Sequence, residues 1–195
     1  MPDHYFSENP ESPHHLAQCK ASYRGRDFTF ETDAGVFSRD GLDKGTAILL
    51  DALPELSGDV LDLGCGWGAI GVSVAGVFPK ARVTMADINS RAVDLSRGNV
   101  KRNDVQARVL QSDGFEALVG ERFSFILTNP PIRAGKQVIY GLFQQCAEHL
   151  APGGALYIVI RKQQGAPSAL TFLDTVFKSV QVVEKEAGFW VIRAE

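Results

Sequence analysis

Residues 61–71 read "LDLGCGWGAIG", and this stretch decides the fold. Its apolar start is typical of a buried strand, and the glycines after it allow a sharp turn into a helix near Ala69. Gly64, Gly66 and Gly68 would let a ligand approach the backbone closely, and the helix N terminus would offer unpaired N–H groups. The spacing departs from the dinucleotide pattern GxGxxG, and there is no Walker lysine. A dinucleotide or a nucleoside triphosphate is therefore a poor match.

Downstream of this turn, short apolar runs alternate with helical periodicity. Strands are predicted at "VLDLG", "ARVTMAD", "ARVLQSD", "FSFILTN" and "GGALYIVI", and helices from about Ala69, Ser90, Phe115 and Gly135. After one more helix, "VQVVEKEA" and "FWVIRAE" predict a hairpin around Gly188. The expected fold class is therefore α/β, with a seven-stranded, mostly parallel sheet, helices on both faces and an antiparallel final strand.

The first part of the chain has a different character. "SYRGRDFTFETDAGVFS" alternates polar and apolar residues around Gly and Asp, which predicts a small β element, and "KGTAILLDALPEL" predicts a helix. We interpret residues 1–55 as an N-terminal extension packed on a main domain of residues 56–195.

Composition limits the classes of function. The chain has 195 residues, 45% hydrophobic and 22% charged, which suits one globular domain with a small appendage. No apolar run approaches the roughly 20 residues of a membrane span, and the N terminus lacks a signal-peptide pattern, so we expect a cytoplasmic protein with no membrane partner. The spacing of Cys19, Cys65 and Cys146 favours neither disulfides nor a metal site. A net charge of −3 argues against a general polyanion binder, so any contact with nucleic acid would be local.

Three acidic residues lie near the predicted carboxyl ends of consecutive strands. Asp62 would repel a pyrophosphate and better suits a ligand with an ammonium group. Asp87 can accept hydrogen bonds from ribose hydroxyls, and Asp113 can accept from an adenine amino group. Asp87 and Asp113 could each instead cap the helix that follows. Taken together, the three predict a ligand that joins an amino acid, a ribose and an adenine.

The stretch "TNPPI", residues 128–132, follows a predicted strand. Prolines cannot donate to a sheet ladder, so Asn129 is left at the carboxyl end of the strand, in extended geometry. The Asn129 side-chain oxygen and the Pro130 carbonyl could together grip the hydrogens of a substrate amino group. That grip would favour a tetrahedral nitrogen with an available lone pair. The alternative is a strand-ending turn with a capping asparagine.

These motifs resemble those of the class I S-adenosylmethionine-dependent methyltransferases. "LDLGCGWGAIG" looks like their cofactor motif, "ADINSRAVDLSRGN" and "QSD" look like the two motifs that follow, and "TNPPI" is similar to the NPP motif of members that methylate exocyclic or amide nitrogens. "NPPIRAGK", "IRKQQGAPS", "FTFETDAGVFS" and "LDKGT" more closely resemble the small-domain enzymes related to bacterial rRNA guanine-N2 methyltransferases.

The resemblance implies a Rossmann-like fold that binds S-adenosylmethionine and methylates an exocyclic amino nitrogen, with guanine N2 of ribosomal RNA as the first candidate. The substrate would be ribosomal RNA or a ribosomal subunit, and the enzyme a monomer or homodimer. The alternatives are a protein or small-molecule N-methyltransferase and a non-catalytic cofactor-binding scaffold. The implied catalytic residues are Asn129, Pro130, Pro131 and Ile132. The implied cofactor-binding residues are Thr46, Asp62, Gly64, Cys65, Gly66, Asp87, Ile88, Asp113, Gly114 and Asn129.

One position departs from the family pattern. Many NPP enzymes have an aromatic residue where this chain has Ile132, and an aliphatic side chain packs on a base with less specific geometry. This departure weakens the case for methylation of adenine N6 or of glutamine. The resemblance brings Phe37 and Ser38 over the pocket as substrate-binding candidates, and Phe37 can supply a stacking surface.

Four basic residues are candidates for holding RNA phosphates. Arg133 and Lys136 are expected in the first turn of a helix, where the helix dipole disfavours cations, and Arg161 and Lys162 follow the fifth strand at the same edge of the sheet. Scattered solvated charge is the alternative interpretation.

Overall fold

The computed structural model describes residues 13–39 and 41–195, which form a seven-stranded sheet and a separate two-stranded sheet. The strands are β1 Ala17–Tyr23, β2 Arg26–Thr32, β3 Gly58–Leu63, β4 Ala81–Asp87, β5 Ala107–Gln111, β6 Phe123–Thr128, β7 Leu150–Arg161, β8 Val180–Glu186 and β9 Phe189–Ala194. The helices are α1 Lys44–Asp51, α2 Ala69–Val77, α3 Ser90–Arg102, α4 Lys136–His149 and α5 Ala166–Leu173.

The large sheet has the order β5-β4-β3-β6-β7-β9-β8. Strands β3 to β7 pair in parallel, and β9 is antiparallel to both β7 and β8. The predicted fold class, with its antiparallel final strand, is confirmed. The strand order reverses between β3 and β6, and open α/β sheets bind ligands at the carboxyl ends of their strands at such a point.

The two faces of the large sheet carry separate hydrophobic clusters. Val60 of β3 packs in the cluster on the face of α1, α2 and α3, whereas Leu61 and Leu63 pack in the cluster on the face of α4 and α5. Because both faces are covered, Val60, Leu61 and Leu63 are all buried, although successive side chains of a strand point to opposite faces. Burial on both sides makes this strand a rigid support for the glycine turn that follows it.

The helix predicted from about Phe115 is absent, and this expectation was wrong. Only a single 3-10 turn, Glu116–Leu118, forms there. Gly114 and Gly120 bracket the segment with φ values of 51° and 80°, outside the helical range, so the chain cannot continue the helix in either direction.

The segment before residue 56 packs against the large sheet. Strands β1 and β2 form a hairpin whose turn residues, Arg24 and Gly25, both have positive φ. The side chains of Asn99 on α3 and of Asn103, the C-cap of α3, each exchange two hydrogen bonds with the backbone of β2, of 2.7 to 2.9 Å. The expected β element and helix are therefore present within the described residues. The first twelve residues lie outside them, and the division at residue 55 stays an interpretation.

Among residues 13–39 and 41–195, no helix is both long enough and apolar enough to cross a bilayer.

Candidate active site

A cavity of about 390 Å³ opens at the carboxyl ends of β3, β4 and β6. It collects residues from the glycine turn, the ends of three strands, the N terminus of α1, the loop before it and the first turns of α4. The residues in its wall that the sequence predicted are Phe37, Ser38, Thr46, Gly64, Cys65, Gly66, Asp87, Ile88, Asp113, Gly114, Asn129, Pro130 and Pro131. The others are Val36, Asp43, Leu63, Trp67, Ala69, Ile70, Ala86, Ala92, Ser112, Ala134, Val138 and Leu142.

The glycine turn forms one wall of this cavity. Gly64, Gly66 and Gly68 have φ values of 70°, 56° and 94°, which residues with a side chain rarely adopt. A Cβ atom on Gly64 or Gly66 would meet no protein atom within 4 Å. Glycine is therefore needed at these two positions for the backbone conformation, and the absence of side chains leaves the backbone open to a ligand.

The Asp87 carboxylate joins the glycine turn to the start of α3. Its Oδ2 accepts from Gly66 N at 2.8 Å, and its Oδ1 accepts from Asn89 N at 2.9 Å. Asn89 in turn caps α3 by accepting from Arg91 N at 2.9 Å. Burial raises the pKa of Asp87. A carboxylate has about four lone-pair sites, so after these bonds and one from Ile88 N it keeps an acceptor site for a ligand in the cavity.

Asp62 lies behind the cavity wall and is not part of it. Its side chain is fully buried, and Oδ2 accepts from Gly71 N at 2.8 Å. Its Oδ1 is buried with no hydrogen-bond partner among the described residues. Burial raises the pKa of Asp62 to about 7. Asp62 does not line the cavity, so its role in binding a ligand ammonium group stays a prediction.

The end of β5 closes another side of the cavity. Ser112 Oγ donates to the carbonyl of Gly114 at 2.9 Å, which shapes the turn that carries Asp113. The Gln111 side chain donates to the carbonyl of Ile88 at 2.9 Å and ties this turn to the end of β4. Asp113 is exposed at the cavity edge, where its oxygens are available to a ligand.

The Asn129 side chain is held by two residues of the α1 N terminus. Its Nδ2 donates to Asp43 Oδ2 at 3.0 Å and to Thr46 Oγ1 at 3.1 Å. These bonds turn the nitrogen end of the amide toward α1, so the side-chain oxygen is left as an acceptor. Sequence reasoning missed Asp43. The available signal was its position as an N-cap, an acidic residue immediately before the helical run of α1.

The two prolines form a tight turn after β6. Ile132 N donates to the carbonyl of Pro130 at 2.8 Å across Pro131, which has φ −74° and ψ 77° and so forms an inverse γ-turn. The Pro130 carbonyl therefore keeps one lone pair for a substrate. Ile132 does not line the cavity, because its side chain packs with the cluster on the α4 and α5 face. Its inclusion among the catalytic residues, implied by the resemblance, stays a prediction.

The loop between β2 and α1 forms a roof over the cavity. Trp67 Nε1 donates to the carbonyl of Phe37 at 2.9 Å, and Arg91 Nη1 donates to the carbonyl of Ala34 at 2.7 Å. Phe37 is 41% exposed and Val138, across the mouth, is 58% exposed. The mouth thus presents two apolar side chains that suit a flat, partly apolar substrate.

The four basic candidates lie outside the cavity wall. All four are exposed: Arg133 is in the 3-10 turn Ile132–Ala134, Lys136 begins α4, Arg161 ends β7 and Lys162 follows it. None of them forms an ion pair within the described part of the chain. The Arg161 guanidinium lies 4.7 Å from the centre of the Phe189 ring.

A sequence profile of the methyltransferase small domain matches residues 27–193. The chain belongs to this family. The resemblance to class I methyltransferases inferred from the sequence is thereby confirmed, and the chain is a methyltransferase.

Two relatives of this methyltransferase match over different shares of their own length. The Bacillus subtilis (strain 168) protein YbxB is 44% identical over 199 residues, which cover 100% of this chain and 99% of that protein. Ribosomal RNA small subunit methyltransferase C of Salmonella gallinarum is 37% identical over 183 residues, which cover 91% of this chain and 52% of that enzyme.

A solved structure also matches nearly all of this methyltransferase but only about half of its own chain. The T. thermophilus 16S rRNA N2 G1207 methyltransferase (RsmC), in complex with AdoMet and guanosine, aligns with a TM-score of 0.84 and 31% identity. The alignment covers 95% of this chain and 52% of that one. The chain thus spans about half the length of the rRNA methyltransferases that it matches.

Proposed function

We propose that this methyltransferase transfers a methyl group from S-adenosylmethionine to the exocyclic N2 amino group of a guanine in ribosomal RNA. The observation that carries the proposal is the Asn129 side chain, whose nitrogen donates to Asp43 and Thr46 and whose oxygen is left to accept from a substrate amino group. Similarity to an rRNA N2 guanine methyltransferase over 95% of the chain supports the choice of base.

The cavity wall fits S-adenosylmethionine. Asp87 offers acceptors to ribose hydroxyls, the open backbone at Gly64 and Gly66 leaves room for close approach, and Asp113 can accept from an adenine amino group. Ile88 and Leu142 supply apolar surface for an aromatic ring. When bound, the cofactor supplies an electrophilic methyl group on a positively charged sulfur.

The residues of this chain would act by positioning. The Asn129 oxygen and the remaining lone pair of the Pro130 carbonyl accept from the two hydrogens of the amino group, which directs the nitrogen lone pair toward the methyl group. The nitrogen–carbon bond forms as the sulfur–carbon bond breaks. The new ammonium-like nitrogen is acidic and loses its proton to water, so no strong base is needed.

Transfer of radiolabelled methyl groups tests this proposal. Wild-type protein is incubated with labelled S-adenosylmethionine and with naked rRNA, isolated small subunits, isolated large subunits or total protein. We expect label in RNA, recovered as N2-methylguanosine, and its loss by about 100-fold or more in Asn129→Ala. Comparison of the RNA samples identifies the assembly stage that is the substrate.

Two results would contradict the proposal. Label in protein would favour a protein N-methyltransferase, and the absence of label from every sample, despite cofactor binding, would favour a non-catalytic scaffold. Gln137→Ala is a suitable control, because Gln137 is an exposed residue of α4 outside the cavity wall.

A further inference from the structure

We infer that Asp43 is a positioning residue that determines which end of the Asn129 amide faces the cavity. This inference rests on the proposed function, because it concerns the group that would accept from the substrate nitrogen. It adds a residue from the N terminus of α1, 86 positions away in the sequence, to the requirements for methyl transfer.

The two ends of the Asn129 side-chain amide differ in chemistry. The oxygen and nitrogen ends of an asparagine side chain have nearly the same shape, so packing alone does not distinguish its two orientations. A carboxylate accepts hydrogen bonds and donates none. Asp43 Oδ2, 3.0 Å from the Asn129 amide, therefore requires the NH₂ end to point toward it and the oxygen to point away.

Thr46 reinforces the same orientation. Its hydroxyl donates to Asp43 Oδ2 at 2.5 Å, and a hydroxyl has only one hydrogen to donate. Toward Asn129, 3.1 Å away, this hydroxyl can then only accept. Asp43 thus sets the orientation twice, directly and through Thr46.

Asp43 is itself held in place. Its Oδ1 accepts from Gly45 N at 2.8 Å and its Oδ2 accepts from Thr46 N at 3.1 Å, as expected of the N-cap of α1. The N terminus of a helix favours negative charge. The carboxylate that orients Asn129 is therefore fixed by backbone groups and does not depend on a bound ligand.

The orientation matters for the reaction. With its oxygen toward the cavity, Asn129 can accept from a substrate amino group. With the amide reversed, N–H would face N–H, and the hydrogen bond that aligns the lone pair would be lost. Asp43 therefore makes the site select nucleophiles that bring hydrogens to donate.

Asp43→Asn is the first variant to test. Asparagine is a good N-cap, so α1 should stay intact, but its amide can donate as well as accept and so no longer fixes the orientation of Asn129. We expect kcat for methyl transfer to fall by about 100-fold, the effect typical of a misplaced reacting group, while the Kd for S-adenosylmethionine changes little.

The second test exchanges the two side chains. In Asn129→Asp alone, the new carboxylate would face the Asp43 carboxylate in place of the 3.0 Å hydrogen bond, and the two would repel each other. We expect methyl transfer by this variant to be as impaired as in Asn129→Ala. In Asp43→Asn/Asn129→Asp the new amide can donate to the new carboxylate, whose other oxygen still faces the cavity. We expect kcat to recover at least about tenfold over Asn129→Asp, a rescue that a purely structural role of Asp43 would not produce.

A readout besides activity keeps the two proposals separate. By NMR, the Asn129 side-chain NH₂ hydrogens should show a nuclear Overhauser effect to the Thr46 methyl group in wild type, and it should weaken in Asp43→Asn. If wild type shows this contact but does not methylate RNA, the proposed function fails and the orientation by Asp43 stands. If wild type methylates RNA but lacks the contact, or if Asp43→Asn keeps wild-type kcat, or if the exchanged pair is no better than Asn129→Asp, the inference about Asp43 is overturned.

Discussion

The indole nitrogen of Trp67 donates a hydrogen bond of 2.9 Å to the carbonyl oxygen of Phe37. Trp67 lies within the glycine turn that forms the cavity wall, and Phe37 belongs to the loop that covers the cavity. This bond therefore ties the roof directly to the wall. The Trp67 ring is also packed against Phe30 of β2, with ring centres 4.9 Å apart, so the side chain has a packing role as well.

We expect Trp67→Phe to weaken binding of S-adenosylmethionine by about fivefold. The variant keeps an aromatic ring beside Phe30 but removes the hydrogen bond, which is worth about 1 kcal/mol. Isothermal titration calorimetry measures the change in Kd. Trp190→Phe is the matched control, because it removes an indole N–H in β9 and should leave Kd unchanged. Equal Kd values for both variants would contradict a role of this bond in holding the roof.

We expect a buried acid to make the ligand-free protein less stable as pH rises. Burial raises the pKa of Asp62 from 3.8 to about 7, so between these values the folded state binds more protons than the unfolded state. The contribution of Asp62 to the free energy of unfolding is therefore fully present below about pH 4 and is lost as pH rises to about 7. The loss amounts to up to about 4 kcal/mol. Asp62→Asn removes this titration.

Chemical denaturation at several pH values tests this expectation. The free energy of unfolding of Asp62→Asn relative to wild type should rise between pH 5 and pH 8. Asp59→Asn is the control, because the hydrogen bond from Arg82 lowers the pKa of Asp59, the opposite direction. If the difference in the free energy of unfolding between Asp62→Asn and wild type does not vary with pH, the expectation that buried Asp62 is neutral is contradicted.

Local sequence patterns predicted most of the fold. The apolar run before Gly64 and the glycines after it specify a strand, a turn and a helix within a few residues, so no distant contact was needed to infer them. The helix predicted near Phe115 does not form, and the reason is also local, because Gly114 and Gly120 both adopt positive φ. The apolar residues between these glycines led to the prediction of a helix, although a segment this short cannot complete two turns.

The candidate site was less accessible to sequence reasoning where it depends on distant contacts. Asn129 was found from the prolines beside it, whereas Asp43 becomes significant only because the fold brings α1 to the end of β6. Ile139 and Leu142 lie three residues apart on α4, so helical periodicity places them on the same face. Ile139 is buried in the core, whereas Leu142 lines the cavity, and helical periodicity cannot separate these two environments.

We expect Gly71→Ala to destabilise the protein by about 1–3 kcal/mol. A Cβ atom there would lie 2.5 Å from Met85 Cγ and 3.0 Å from Asp62 Oδ2, between α2 and the sheet. Gly98→Ala is the matched control in α3, where a Cβ atom would meet nothing within 4 Å and should stabilise the helix by about 0.5–1 kcal/mol. Thermal and chemical unfolding measure both changes, and equal stability of the two variants would rule out close packing at Gly71.

Four exposed basic residues lie at the carboxyl edge of the sheet. If they hold RNA phosphates, replacing Arg133, Lys136, Arg161 and Lys162 with alanine should raise KM for RNA and leave the Kd for S-adenosylmethionine unchanged. The slope of log K against log salt for RNA binding should become shallower by about 3, since each phosphate contact on a single strand contributes about 0.7.

A control variant with the same change in net charge separates this effect from general electrostatics. Lys80, Arg82, Arg108 and Arg122 lie at or just before the amino ends of β4, β5 and β6, at the opposite edge of the sheet from the cavity. Replacing these four with alanine removes four positive charges but no contact near the cavity. Equal salt slopes and KM values for the two variants would mean that RNA responds only to net charge. A selective loss in the first variant would indicate that RNA enters across the edge that carries Asn129.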